Sequence, residues 1–222
     1  MTTETDLAGV SALRLAQALC ARLCHDLGGP VGMVAAVLEM GLGGDPGGDP
    51  GGGRAAGAEA AGEAAQIALE SAQAIRARLR LWRAACGGDT GPMPAAGLAE
   101  LLGPVLAGGR VSLHAALPAE TVLPPAAAQL GLVAAMLAVE ALPRGGVVQL
   151  AGSADELQLL LDGPNARWPS ALTAALAGRV EEPDPRTVLA PVLVNLAQAE
   201  GWRVSLAFGP GMLPGPLLIS RR

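Results

Sequence analysis

Apolar residues recur every three or four positions across the first third of the chain and predict two long helices. The first covers about Asp6–Leu42 and the second about Arg54–Ala85. Between them Gly43–Gly53 reads GGDPGGDPGGG, a composition that does not hold regular structure. Two long helices with a flexible connector form an antiparallel hairpin, and a second copy covers the apolar stripe that one hairpin leaves open. We therefore expect a dimeric four-helix bundle over residues 1–88.

The pattern changes after a second segment rich in glycine and proline, Cys86–Gly97. Runs of alternating apolar and polar residues, which predict strands, now alternate with apolar runs at helical spacing. This order predicts an α/β sandwich over residues 95–222, with helices over one face of a single sheet, so the whole chain is α+β. The predicted strands are 110–117, 147–151, 157–162, 202–208 and 213–220, and the predicted helices are 98–106, 124–142, 169–177 and 186–200.

Composition and charge narrow the class of protein. Hydrophobic residues make up 51% of the chain but aromatic residues only 2%, so the core is expected to consist of Leu, Ala and Val. The net charge is −5 and no basic run is longer than Arg221-Arg222, which argues against nucleic-acid binding. The polar N-terminus and the three cysteines favour a reducing cytoplasm over secretion. Proline reduces the longest uncharged run to Ala126–Val139, about 14 residues, whereas a membrane span needs about 20.

The stretch ARLCHDLGGPVG, residues 21–32, places three glycines and a proline inside the first helix, although both residue types weaken helices. On an ideal helix the three glycines share the face of His25, and the apolar stripe lies on another face. These glycines are Gly28, Gly29 and Gly32. We expect His25 to face solvent in a strip of small residues that another protein's backbone can approach.

The residues His25–Pro30 read HDLGGP and match the pattern H-acid-apolar-x-x-P. This pattern resembles the phospho-acceptor motif of histidine-kinase dimerisation helices. The wider stretch resembles the ChpT-type histidine phosphotransferases, and the resemblance continues at Glu140–Gly146 and Gly163–Arg167 and in the order of elements. It implies a dimer built on a helical hairpin, a C-terminal domain like a kinase ATPase domain that no longer binds ATP, and a histidine that relays phosphoryl groups between receiver-domain aspartates.

The sequence supports the expectation that ATP is not bound. The predicted helix 124–142 contains no Asn, and Glu140 stands where a kinase would carry one. Asp162–Ala166 has an Asp without the spaced glycines of a nucleotide-binding turn, and Arg179–Leu189 contains no glycine for a lid. We expect no cofactor on this chain, with Mg²⁺ held by the receiver partner.

The resemblance and the helical geometry together assign candidate roles to four positions and to the glycine strip. His25 is the candidate nucleophile, because a neutral imidazole nitrogen attacks phosphorus. Asp26, about 100° round the helix, is the candidate to orient the ring or tune its basicity. Arg22 is a candidate contact for the phosphoryl group or for the partner's acidic pocket, and Arg76 on the second helix is a weaker candidate for docking. Gly28, Gly29 and Gly32 complete the expected partner-binding surface.

Simpler explanations compete with these roles. His25 and Asp26 are also compatible with ordinary solvated surface residues, and the small residues with close packing of one helix on another. Cys20 and Cys24 with His25 suggest a zinc site, but no fourth ligand lies nearby and structural zinc takes four. We therefore expect Cys20 and Cys24 to be small core residues.

Three functions remain open at this point. The first is a phosphorelay histidine phosphotransferase, a phosphohistidine carrier and not an ATP-dependent kinase. The second is an active sensor kinase, which the missing nucleotide-binding elements argue against. The third is a non-catalytic dimeric scaffold that sequesters receiver domains. The relay and the scaffold share one surface, so the sequence separates them poorly.

Overall fold

The computed structural model describes residues 12–42, 54–88, 91–107, 109–179, 182–207 and 214–222. The predicted connector Gly43–Gly53 and the predicted start of the first helix lie outside these residues. The helices are α1 (Ala12–Leu42), α2 (Arg54–Cys86), α3 (Ala95–Leu106), α4 (Pro125–Glu140), α5 (Ser170–Leu176) and α6 (Leu189–Ala199). The strands are β1 (Met93–Pro94), β2 (Val111–Ala116), β3 (Val122–Leu123), β4 (Gly146–Gly152), β5 (Glu156–Asp162), β6 (Trp202–Leu206) and β7 (Leu217–Arg221).

The two long helices α1 and α2 pack against each other as a hairpin. Leu19 and Leu23, near the start of α1, reach the same core as Leu81 and Trp82 at the end of α2. The two helices therefore run antiparallel, as the sequence predicts. Helix α1 continues through Pro30 as one element.

The C-terminal part is built on a mixed five-stranded sheet with the order β2-β4-β5-β7-β6. Strands β2 and β4 are parallel, and the other neighbours in this sheet are antiparallel. Burial alternates along the strands: Leu157 and Leu159 of β5 are fully buried, whereas Gln158 and Leu160 between and beside them are partly exposed. One face of the sheet is thus covered and the other is more open, which confirms the predicted α+β architecture.

Helix α4 forms the centre of the core. Its sequence is apolar on almost every face, and a helix of that kind is stable only when it is surrounded. Leu130, Leu132 and Leu137 are at most 1% exposed, and the polar Gln129 is buried with them. The end of α2 contributes Ala85 to the same core. The predicted division of the chain into residues 1–88 and 95–222 stays a prediction.

The end of α4 is held by the turns that surround it. The backbone N–H of Arg167 donates to the carbonyl of Ala141 at 2.9 Å. Gly146 has a φ of 144°, and a Cβ there would collide with the carbonyl of Asp162, so only glycine lets the start of β4 approach the end of β5. These close contacts place the last residue of α4, Glu140, where it faces α1.

Candidate functional site

His25 projects from α1 with 82% of its side chain exposed. This agrees with the helical geometry of the sequence, which places the histidine away from the apolar stripe. Its Nδ1 lies 3.4 Å from Oδ1 of Asp26, the next residue. That separation is long for a hydrogen bond, so the contact orients the ring without holding it rigidly.

The contact with Asp26 distinguishes the two ring nitrogens. A carboxylate oxygen accepts and does not donate, so it favours the neutral tautomer that carries its proton on Nδ1. In that tautomer Nε2 has a free lone pair and lies on the far side of the ring from Asp26. The exposed ring therefore presents a nucleophilic nitrogen to solvent.

Arg22 fixes Asp26 from the preceding helical turn. Its Nε donates to Oδ1 of Asp26 at 3.0 Å, an i, i+4 pair along α1. Both side chains are about one-fifth exposed. The same carboxylate oxygen thus meets the arginine on one side and the His25 ring on the other.

Arg22 also joins α1 to the C-terminal part of the chain. Its Nη1 lies 2.7 Å from Oε1 of Glu140, the last residue of α4, and 3.4 Å from the carbonyl of Pro185 in the loop before α6. Burial lowers the pKa of the Arg22 guanidinium, but Glu140 and Asp26 outweigh it and raise that pKa overall. Arg22 is thus a fully charged side chain held between two acids.

Glu140 is the second acid that contacts Arg22, and its side chain is 23% exposed. Its Oε1 is shielded from solvent and lies 2.7 Å from Nη1 of Arg22. Among the described residues this oxygen has a charge partner and no hydrogen-bond donor. Burial raises the pKa of the Glu140 carboxyl, Arg22 opposes that shift, and Asp26 adds to it.

A cleft of about 680 Å³ separates α1 from the C-terminal part beside these residues. The loop that borders it is braced by the side chain of Asp184, whose Oδ1 accepts from the backbone N–H of Arg186 at 2.8 Å. The cleft is lined by Ala21, Arg22, His25, Glu140, Pro169, Asp184, Pro185 and Arg186. The structure therefore brings His25 and Arg22 together with residues of the C-terminal part, whereas Arg76 lies exposed on α2 and does not line the cleft.

The glycine strip is open. A Cβ added at Gly28, Gly29 or Gly32 would meet no atom within 4 Å. Within the described residues, close packing of one helix on another therefore does not require these glycines. Ala18 is different, because it is 4% exposed and packs inside the hairpin.

The expectation that Cys20 and Cys24 are core residues is wrong for the single chain, in which both are exposed. They lie on a face of α1 that α2 does not cover. The large apolar residues Leu13, Val31 and Leu38 are exposed on the same face. Among the described residues no cluster of three or more His, Cys, Asp or Glu side chains is arranged to hold a metal ion. Within the same residues no helix has the length and apolar character to cross a membrane.

Two parts of the site escaped the sequence analysis. The sequence marks Glu140 as the residue at the expected place of an Asn and as the start of the resembling stretch Glu140–Gly146, but nothing along the chain pairs it with Arg22. The predicted helix 186–200 begins only at Leu189, so Arg186 lies in the loop before α6. The position of this loop beside α1 depends on how the two parts of the chain pack.

A comparison with protein-family models identifies the family of the chain. Residues 95–210 match the family model of the histidine phosphotransferase C-terminal domain. This match covers more than half of the chain, and the chain belongs to the histidine phosphotransferase family. A search of curated proteins finds no match.

Two solved structures are similar in fold. A bacterial phosphotransferase has 23% sequence identity and a TM-score of 0.72, and the alignment covers 95% of this chain and 96% of that one. The cytoplasmic segment of the histidine kinase QseC has 14% identity and a TM-score of 0.39, with 59% and 76% of the two chains covered. The likeness to the bacterial phosphotransferase spans both the helical hairpin and the α/β part.

Proposed function

We propose that this chain is a phosphorelay histidine phosphotransferase. His25 accepts a phosphoryl group from the aspartate of one receiver domain and passes it to another receiver domain, without using ATP. One observation carries the proposal: in a member of this family, an 82% exposed imidazole has Nδ1 turned to a carboxylate and Nε2 turned to solvent.

The chemistry needs few groups from this chain. The Nε2 lone pair attacks phosphorus, the bond from phosphorus to the receiver's aspartyl oxygen breaks, and its electron pair leaves with that carboxylate. The phosphorylated ring keeps its proton on Nδ1 and carries positive charge, which Asp26 stabilises. The reverse sequence on a second receiver regenerates neutral His25. The receiver supplies Mg²⁺, which neutralises charge on the phosphoryl oxygens.

The receiver docks on the open side of α1. Gly28, Gly29 and Gly32 form a surface without side chains one turn beyond His25, so a partner's backbone can approach closely. Arg76 on α2 is an exposed cation for an acidic partner surface. Arg22 is held by contacts within its own chain. We therefore assign it mainly to positioning Asp26, and contact with the receiver is its secondary role.

A second copy of the chain covers the apolar face of α1. The exposed fractions of Leu13, Val31 and Leu38 are 66%, 50% and 54%. Together with Cys20 and Cys24 they follow the spacing of about 3.5 residues that characterises helices in a coiled coil. A homodimeric four-helix bundle buries this stripe, and His25 stays outside it because the ring lies on another face of α1.

The C-terminal part acts in this proposal as a degenerate ATPase-like domain. Glu140 occupies the end of α4 and its carboxylate is engaged by Arg22, so it is not free to hold the metal ion of a nucleotide. We expect the protein to be cytoplasmic, as its composition suggests, and to bind neither nucleic acid nor membrane.

The test is transfer of radiolabelled phosphate from receiver domains of the same organism, each loaded with acetyl phosphate. We expect acid-labile label on the wild-type chain and no label on His25→Ala. His114→Ala is the matched control, since His114 is the other histidine and lies exposed on β2, and it should be labelled normally. Label on His25→Ala, label from ATP alone, or receiver binding without any label would contradict the proposal.

A further inference from the structure

We propose that Glu140 is a positioning residue for phosphotransfer at His25. It acts through Arg22 and Asp26. The C-terminal part of the chain thereby controls the tautomer of His25, which lies on the hairpin. The inference rests on the proposed function and deepens it, because it identifies a residue outside the acceptor motif that the reaction depends on.

The contacts form a continuous path. Glu140 Oε1 is 2.7 Å from Nη1 of Arg22, and Nε of the same guanidinium is 3.0 Å from Oδ1 of Asp26. A guanidinium is planar and rigid, so fixing one edge fixes the direction of the other. The Asp26 oxygen that accepts from Arg22 is the same atom that lies 3.4 Å from Nδ1 of His25.

The path leads from half-buried side chains to an exposed ring. The imidazole is 82% exposed, whereas the three charged side chains behind it are between 19% and 23% exposed. Without Glu140, Arg22 would keep Asp26 on its own helix and, across the interface, the longer 3.4 Å contact with the carbonyl of Pro185 in a loop. The Glu140 contact is therefore what ties the arginine to a core element, α4, instead of to α1 and a loop alone.

The charges around Glu140 are few. Within the cleft they are Arg22, Asp184 and Arg186 together with the titratable His25, and Asp26 acts on the carboxyl from behind Arg22. On its other side Glu140 borders a second cleft that includes Arg167. Arg22 is the one cation among these that makes a described ion pair with Glu140.

The proposal has a spectroscopic signature. If Asp26 is held against Nδ1, the neutral ring of His25 carries its proton mainly on Nδ1, and ¹⁵N chemical shifts of the two ring nitrogens report this tautomer. We expect Glu140→Gln to raise the population of the tautomer that is protonated on Nε2. We also expect its rate of phosphotransfer from a labelled receiver to fall about tenfold, with receiver binding unchanged. His114 provides a second histidine signal in every spectrum, which should not move.

A double-mutant comparison shows whether Glu140 acts through Arg22. Arg22→Gln alone and Arg22→Gln with Glu140→Gln should give the same tautomer population and the same rate, because the second change has nothing left to act on. Glu100→Gln, at an exposed acid of α3, is the matched control and should resemble the wild type.

The outcomes separate the two proposals. A Glu140→Gln protein with the wild-type tautomer and rate overturns the positioning role, and so does an additive double variant. A wild-type chain that no receiver labels overturns the proposed function instead. If Glu140→Gln lowers the thermal midpoint, its tautomer at temperatures where it is fully folded still decides the question.

Discussion

Arg22 of α1 and Glu140 of α4 form an ion pair of 2.7 Å between the helical hairpin and the α/β part of the chain. This pair lies one helical turn before the candidate acceptor, and it puts a buried charge network directly behind an exposed imidazole. The contact makes the relative placement of the two parts of the chain relevant to chemistry at His25.

Buried Glu140 gives the protein a defined pH dependence of stability. Burial raises the pKa of this carboxyl above its ordinary value of 4.5, although Arg22 opposes the shift. When the pKa is higher in the folded state, the stabilisation that Glu140 contributes is fully present below the pKa of the unfolded chain. It is lost as the pH rises through the pKa of the folded state. The free energy of unfolding of the wild type, relative to Glu140→Gln, should therefore increase as pH is lowered from about 7 to about 4. Urea unfolding of both proteins across this range tests it, and a difference that decreases on acidification would contradict the assignment.

Asp26→Asn should slow phosphotransfer by about 100-fold while leaving the fold intact. The amide no longer stabilises the positive ring of phosphohistidine, and it offers Nδ1 a donor as readily as an acceptor. Single-turnover labelling by a phosphorylated receiver measures the rate. Asp155→Asn, at an exposed acid beside β5, is the control and should transfer at the wild-type rate. Equal rates for the two variants would remove Asp26 from the mechanism.

A large side chain on the glycine strip should block receiver docking without destabilising the helix. Gly32→Gln places its side chain in open space, so helix stability should increase by up to about 1 kcal/mol while receiver transfer falls at least tenfold. Gly62→Gln on α2 is the matched control, because Gly62 also has no neighbour within 4 Å. It should gain similar stability and keep normal transfer. Equal transfer in both variants would place the docking surface elsewhere.

The two exposed cysteines of α1 test the proposed dimer. In the bundle we propose, the two-fold axis runs along the helices, so the two α1 helices point in the same direction and Cys20 and Cys24 of one copy lie level with those of the other. Mild oxidation of the Cys86→Ser protein should link two copies, and Cys20→Ser with Cys24→Ser should abolish the link. A chain that sedimentation shows to be monomeric, or a dimer that oxidation does not link, would contradict this packing.

Periodicity explains why most of the fold was predictable. Helices α1, α2 and α4 and the strands of the large sheet have long repeating apolar patterns, and each lies within a few residues of its predicted range. The two-residue strands β1 and β3 were missed because a pair of residues has no period. The short pairing of Met93 with Leu123 forms because the segment before α3 and the segment before α4 meet there.

The site was predictable only in part. The exposure of His25 follows from its face of α1, and the neighbouring Asp26 is contiguous in sequence. The contact between Arg22 and Glu140 depends on how α1 and α4 pack, which no local pattern encodes. Cys20 and Cys24 were misplaced because an apolar stripe alone does not say whether the same chain or a second copy covers it.

The atom that carries the phosphoryl group decides whether His25 is the acceptor. The wild-type chain is labelled by a phosphorylated receiver, and ³¹P and ¹⁵N spectra identify the atom that carries the phosphoryl group. We expect one phosphoryl group on Nε2 of His25, with the proton still on Nδ1. A phosphoryl group on Nδ1, on His114 or on any other side chain would contradict it.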